Sequence, residues 1–210
     1  PEHQRGRGIT FVFLGWSVAS VVGTPLGAWV GGHFGWRWSM GLMAMASLTA
    51  AVWLQTRMPG GVIPARLPAS AWRQTLLSPT LAPALSVTVA SAAGQFVFLS
   101  YLAPYLAERF ASGPNALSLL LLVYGLCGFA GNAWVSQRID RMGATRAVGW
   151  ALTSMALGML LICLTSDFGW MLLAVVPWGL GVFASNSSQQ ARLVGLAPLL
   201  APASIALNTS

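Results

Sequence analysis

The stretch that decides the fold is residues 117–135, LSLLLLVYGLCGFAGNAWV: nineteen residues without a charge, rich in leucine and broken only by small or aromatic side chains. A hydrocarbon layer about 30 Å thick is crossed by a helix of about 20 apolar residues, because each residue rises about 1.5 Å. The run is long enough to cross. On its C-terminal side the character changes at once to SQRIDRMGATR, residues 136–146, which gathers three of the chain's eleven basic residues around an aspartate and a glycine.

The same alternation repeats along the chain. Apolar runs occupy residues 9–31, 38–54, 81–106, 117–135, 147–165 and 170–184, and a shorter piece, 193–208, approaches the last residue of the 210. The chain is 56% hydrophobic and 7% charged, against about a quarter charged in a soluble domain. A water-soluble bundle with buried helices is the alternative, and six uncharged runs of this length exclude it. The expected fold is all-α, a polytopic transmembrane bundle.

The net charge is +7, with every basic residue an arginine. Nucleic acid binding needs such charge gathered on one face or tail, whereas here the arginines fall in the gaps between runs. If the runs alternate in direction, Arg5, Arg7, Arg57, Arg66, Arg73, Arg138, Arg141, Arg146 and Arg192 reach one side and only Arg37 and Arg109 the other. That imbalance assigns the richer side to the cytoplasm. The use of arginine without lysine suits the coding of a bacterial genome rich in G and C. Cys127 and Cys163 fall inside runs, far from any metal-ligand spacing, and read as small packing residues. No metal or other cofactor is expected. The chain begins at Pro1 in what reads as a cytoplasmic loop and ends within a helix, so it is expected to be a fragment.

Three domains follow from the punctuation: residues 1–57 with two spans, a linker over 58–78, and 79–210 with the remaining spans. Pro59, Gly60, Gly61, Pro64 and Pro68 prevent a continuous helix across the linker and keep it in water.

Within the first run, Gly23, Gly27 and Gly31 recur every four residues, a small-residue stripe that lets helix backbones approach in lipid. Pro25 interrupts one backbone hydrogen bond inside it. On the third run, about 100° of rotation per residue gathers Ser91, Gly94, Gln95, Phe98, Tyr101 and Tyr105 within an arc of about 120°. Phe96, Val97 and Pro104 lie opposite. A polar and aromatic stripe should face protein or a water-filled cavity; bonding to neighbouring helices is its plainer use. Gly125, Gly128 and Asn132 form a similar stripe on the fourth run, Pro177, Gly179 and Gly181 mark the sixth as able to bend, and SNSSQQ, residues 185–190, closes it with uncharged polar groups.

The D-R-x-G pattern of Asp140, Arg141 and Gly143 between two runs resembles the second-half copy of the loop motif of the major facilitator superfamily. The glycine triplet with Pro25 resembles the antiporter motif on the fifth helix of its twelve-span drug:proton antiporters. VFLGWSVASVVGTPLGAWVGGHFGWR, residues 12–37, and FLSYLAPYL, residues 98–106, are similar to the arabinose-efflux-permease-like members. Departures are Ser136 where the loop motif usually begins with glycine, Ala144 and Thr145 where it carries a basic pair, and Thr24 before the proline.

This resemblance implies a partial major facilitator fold with the runs as helices 5 to 10, the last piece opening helix 11, in the bacterial inner membrane. It implies proton-coupled efflux of a small molecule, drug or sugar, by alternating access. Gln95, Phe98, Tyr101, Tyr105, Asn132, Trp178 and Asn208 would then contact substrate, and Gly23, Pro25, Gly27, Gly31, Asp140, Arg141 and Gly143 would serve gating and packing. Glu2, Glu108, Asp140, Asp167, His3 and His33 all lie outside the runs, so the proton-coupling acid is expected in helices 1 to 4. A non-transporting scaffold is one alternative. An intramembrane hydrolase built on Gly15 and Ser17 is another, but its serine lacks a base within any run.

Overall fold

The computed structural model describes residues 19–57, 68–111 and 113–209, which form helices and no strand. Residues 9–18 of the first expected span, Ser17, Arg5, Arg7, Arg66 and most of the linker lie outside the described residues.

A π-helical turn at Ala19–Gly23 leads into α1 (Thr24–Phe34), and α2 spans Trp36–Arg57. Then come α3 (Ala69–Leu77), α4 (Leu81–Phe110), α5 (Pro114–Met142), α6 (Ala144–Leu164), α7 (Phe168–Leu196), a 3₁₀ turn at Pro198–Leu200, and α8 (Ala201–Thr209). Four of these, α4 to α7, are long and apolar enough to cross a membrane. The expected second span is a 22-residue helix, α2, but it is not among the four, because its tryptophans, serines, threonines and glutamine dilute its hydropathy.

Most helices are longer than their apolar runs. The segment 136–146, expected as a loop, is helical except at Gly143, which alone joins α5 to α6. Arginine and glutamine are good helix formers, so hydropathy marks where the membrane ends rather than where the helix does. Gly143 adopts φ 81°, a left-handed value open to glycine, and its N–H donates to the Ile139 carbonyl at 2.9 Å to close α5. Gly35, φ 94°, makes the equivalent break between α1 and α2. At the head of α7 the Asp167 carboxylate accepts from the Trp170 N–H at 3.1 Å, an N-cap. In the linker region, the residues after Pro68 form the short helix α3 with Thr75 buried rather than staying extended in water.

Side-chain contacts fix the helix directions. Gln189 reaches the Ala84 carbonyl while Phe98 meets Trp178, so α4 and α7 are antiparallel. Tyr124 lies beside Trp178 and Asn132 beside Ser187, so α5 and α7 run parallel. These pairings are those of spans that alternate up and down. With the contacts of Gly32 on Pro114 and of Gly181 on Ala151, they bring Arg73, Arg138, Arg141, Arg146 and Arg192 to one end of the bundle and Arg37 and Arg109 to the other.

Helix α7 is the hub. A Cβ at Gly131 would overlap the Leu180 carbonyl, one at Gly158 the Trp178 backbone nitrogen, and one at Gly181 the Ala151 carbonyl. Backbone-to-backbone packing of this kind replaces the hydrophobic drive that lipid does not supply. Around it Leu102, Leu106, Leu120, Tyr124, Met155, Ile162 and Trp178 form the main buried cluster. Ser100 and Ser118 are satisfied within their own helices, donating to Phe96 O and Pro114 O, so they cost little in a medium without water.

Candidate functional site

The polar stripe of α4 turns inward over part of its length. Gln95 Nε2 donates to the Tyr124 hydroxyl at 2.8 Å. Phe98 packs edge-on to the Trp178 ring with centroids 4.9 Å apart, and Tyr105 donates its hydroxyl to the Ile162 carbonyl at 3.3 Å. Phe96 and Val97, on the opposite face, are exposed. Tyr101 does not join the others: it is 69% exposed, because its place at the edge of the arc carries the ring past the packed face.

Gln95 also lines a cavity of about 370 Å³ between α4, α6, α7 and α8. Its polar wall is Thr88, Ser91 and Gln95 from α4, Ser185, Asn186 and Gln189 from α7, and Asn208 and Thr209 from α8; apolar cover comes from Phe96, Val148, Leu152, Val182 and Phe183. No lining residue is ionisable. Three helices share one relay at its floor: Thr88 donates to Asn208 Oδ1 at 2.7 Å, Asn208 Nδ2 donates to Asn186 Oδ1 at 3.2 Å, and Gln190 donates to the same oxygen at 3.1 Å. Gln189 is buried, its amide N–H directed to the Ala84 carbonyl and its Oε1 without a partner. That oxygen is itself buried, so Gln189 enters the cavity wall with an acceptor that no neighbouring group satisfies.

Trp178 is fully buried between Phe98 and Tyr124, with Nε1 unpartnered, and it does not line the cavity. Asn132 is likewise apart; its Oδ1 accepts from Ser187 at 2.6 Å, tying α5 to α7. Sequence reasoning named Gln95, Asn208 and the 185–190 cluster, and did not name Thr88 or Tyr124. Tyr124 sits in a leucine run, and its partners Gln95 and Trp178 come from other helices.

The residues expected to serve gating and packing divide. Val21 Cα lies 2.9 Å from a Cβ built on Gly125, so α5 supplies the glycine at which the π-helical turn before α1 approaches it. Gly23 and Gly27 face open space among the described residues, whereas a Cβ on Gly31 would press on Ser39 Oγ at 2.9 Å. Ser39 donates to the Gly27 carbonyl at 2.8 Å, and Pro25 is buried. Asp140 and Arg141 are exposed in the last turn of α5, without an ion pair among the described residues. No group of three His, Cys, Asp or Glu among the described residues could hold a metal ion.

A family model described as Major Facilitator Superfamily matches residues 1–209. Among curated proteins, the chain is 24% identical over 201 residues to the "Probable sugar efflux transporter" of Helicobacter pylori (strain HPAG1), covering 94% of this chain and 51% of that protein. It is 26% identical over 198 residues to the "Inner membrane transport protein YdhP" of Escherichia coli (strain K12), with coverage of 94% and 51%. Over 190 residues it is 27% identical to the "Uncharacterized MFS-type transporter YwfA" of Bacillus subtilis (strain 168), covering 86% and 45%. The chain spans about half the length of these relatives.

Proposed function

The chain belongs to the major facilitator superfamily and is a multi-pass membrane protein, and on that premise we propose that it forms part of a secondary transporter that exports a small uncharged solute, sugar-like or drug-like, across a bacterial inner membrane. The observation that carries this reading is the cavity between α4, α7 and α8, walled by amides and hydroxyls with no ionisable group. Such a wall matches the donors and acceptors of a neutral polar solute and offers nothing to balance a charged one. The names of the Helicobacter and Escherichia relatives support export and the inner membrane.

Alternating access is the working cycle in this reading. The contact of α1 with α5 joins residues from the two sides of the 58–78 linker, where two halves would move against each other. Proton drive belongs to the same proposal. Glu108, Asp140 and Asp167, the acids of the described residues, stand at helix ends, so the group whose charge changes within the membrane belongs to another part of the transporter. Gln95, Ser91, Asn186, Gln189 and Asn208 would meet the solute, Phe98, Tyr105 and Trp178 would back them, and Tyr101 and Asn132 would act outside the cavity. Gly23, Gly27, Pro25 and Gly31 would form the moving surface of α1.

The test is efflux from cells carrying the full-length gene, against cells lacking it, over a panel of labelled neutral sugars and amphiphilic compounds. Lower accumulation of at least one compound, reversed by Gln189→Leu, is expected. Equal accumulation of every compound would overturn the reading.

A further inference from the structure

Two tryptophan–arginine pairs stand mirrored across the Gly143 turn. Trp134 and Arg138 are four residues apart on α5, and Arg146 and Trp150 four apart on α6, so each pair shares one face of its helix. The two indoles meet with ring centroids 4.8 Å apart, and the Arg138 guanidinium lies over the Trp134 ring at 4.7 Å. About 100° of rotation per residue places Arg141 about 60° from Arg138, on the Trp134 side, and carries Asp140 about 200° away. Arg138, Arg141 and Arg146 are all exposed, and Trp134 is 38% exposed. Three cations therefore gather above an indole pair, with the nearby acid turned from them.

The cluster is held in place from beneath. Val135, Ala147, Ala151 and Ala184 form a small buried core, against which Trp150 packs. The only break between the helices is one residue long, so neither pair can drift far from the other. Indole rings favour the boundary between hydrocarbon and headgroups. The backbones of the arginines four residues nearer that helix end lie about 6 Å beyond those of the tryptophans, toward the lipid phosphates, with the Arg138 guanidinium folded back over the Trp134 ring. A guanidinium there presents paired N–H donors that match two phosphate oxygens.

We propose that Arg138, Arg141 and Arg146, with the Trp134–Trp150 pair, bind the phosphate headgroup of an anionic phospholipid in the leaflet facing the arginine-rich helix ends. Lipid fits this patch and free phosphate does not, because the partly exposed Trp134 indole, stacked on Trp150, gives the glycerol and upper acyl carbons an apolar contact beside the cations. The inference rests on the membrane-spanning reading of α5 and α6 and not on the transported solute.

Native mass spectrometry of the full-length protein, released from vesicles of equal phosphatidylglycerol and phosphatidylcholine, tests it. Wild type should retain phosphatidylglycerol over phosphatidylcholine by about a hundredfold, given three arginines near the surface. Arg138→Gln/Arg141→Gln/Arg146→Gln should bring that ratio near one, Trp134→Leu should lower it with every charge kept, and Arg37→Gln/Arg109→Gln at the opposite end should leave it unchanged. Circular dichroism confirms that each variant is helical. Retention of the wild-type preference by both the triple-arginine and the Trp134→Leu variants overturns the site. So does removal of the bound lipid by inorganic phosphate added in excess, which would mark a soluble-anion site instead.

Discussion

The Thr88 hydroxyl and Asn208 Oδ1 stand 2.7 Å apart although 120 residues separate them in the chain. Asn208 also donates to Asn186, so α4, α7 and α8 are joined at one point. Asn208→Leu leaves the Thr88 donor and an Asn186 lone pair without their partner. The expected loss is about 1–3 kcal/mol, read as a lower midpoint of thermal unfolding in detergent. An unchanged midpoint would show that the relay contributes nothing to stability.

Gly158 and Gly27 should respond in opposite ways to alanine. In a helix, alanine is favoured over glycine by about 1 kcal/mol, but at Gly158 the added methyl overlaps the Trp178 backbone. Overpacking outweighs propensity there, and Gly158→Ala should destabilise by about 1–3 kcal/mol. At Gly27 nothing lies within 4 Å of an added methyl, so Gly27→Ala should leave the unfolding midpoint unchanged or raise it. If Gly27 belongs to the moving surface of α1, the bulkier Gly27→Leu stops efflux from proteoliposomes without lowering that midpoint.

Gln95 and Tyr124 form a testable pair. Gln95→Leu, Tyr124→Phe and the double variant should show a coupling of about 0.5–1.5 kcal/mol in unfolding. Tyr124→Phe keeps the ring against Trp178, 4.4 Å between centroids, and should cost less than Tyr124→Ala. In efflux assays Gln95→Leu should raise KM more than it lowers kcat, as expected for a group that binds solute rather than one that moves it.

Asp140 offers a cleaner separation of folding from turnover. It is exposed and has no ion pair among the described residues, so Asp140→Asn should leave both membrane insertion and the unfolding midpoint as they are. Slower efflux by that variant would support a gating role, because no loss of packing would accompany it. Wild-type rates would remove Asp140 from the mechanism.

The spans and their alternation are legible in residues 117–135 and in the runs like them, because lipid imposes a length and a hydropathy that few other environments demand. Helix ends are less so: Ser136 to Met142 read as a loop by polarity, yet continue α5. The inward face of α4 emerges from rotation about its axis, correctly for Gln95, Phe98 and Tyr105, but an arc of about 120° is too coarse to place Tyr101. Small-residue stripes show that a close approach exists without naming the partner. Gly125, on α5, meets Val21, a pairing between residues that only the folded chain brings together. Tyr124 escaped notice for the same reason, since its hydroxyl finds Gln95 and its ring Trp178 across two separate helix boundaries.

The glycine contacts on both flanks of α7 have a mechanical consequence. Where a glycine lies directly against a neighbouring backbone, no rotamer is left to absorb a slide, so α5, α6 and α7 transmit force as one stiff slab. Helix α4 meets that slab through aromatic edges and amide hydrogen bonds, which can re-pair over short displacements. Any shear within this portion of the molecule is therefore easiest along the α4 seam, beside the cavity.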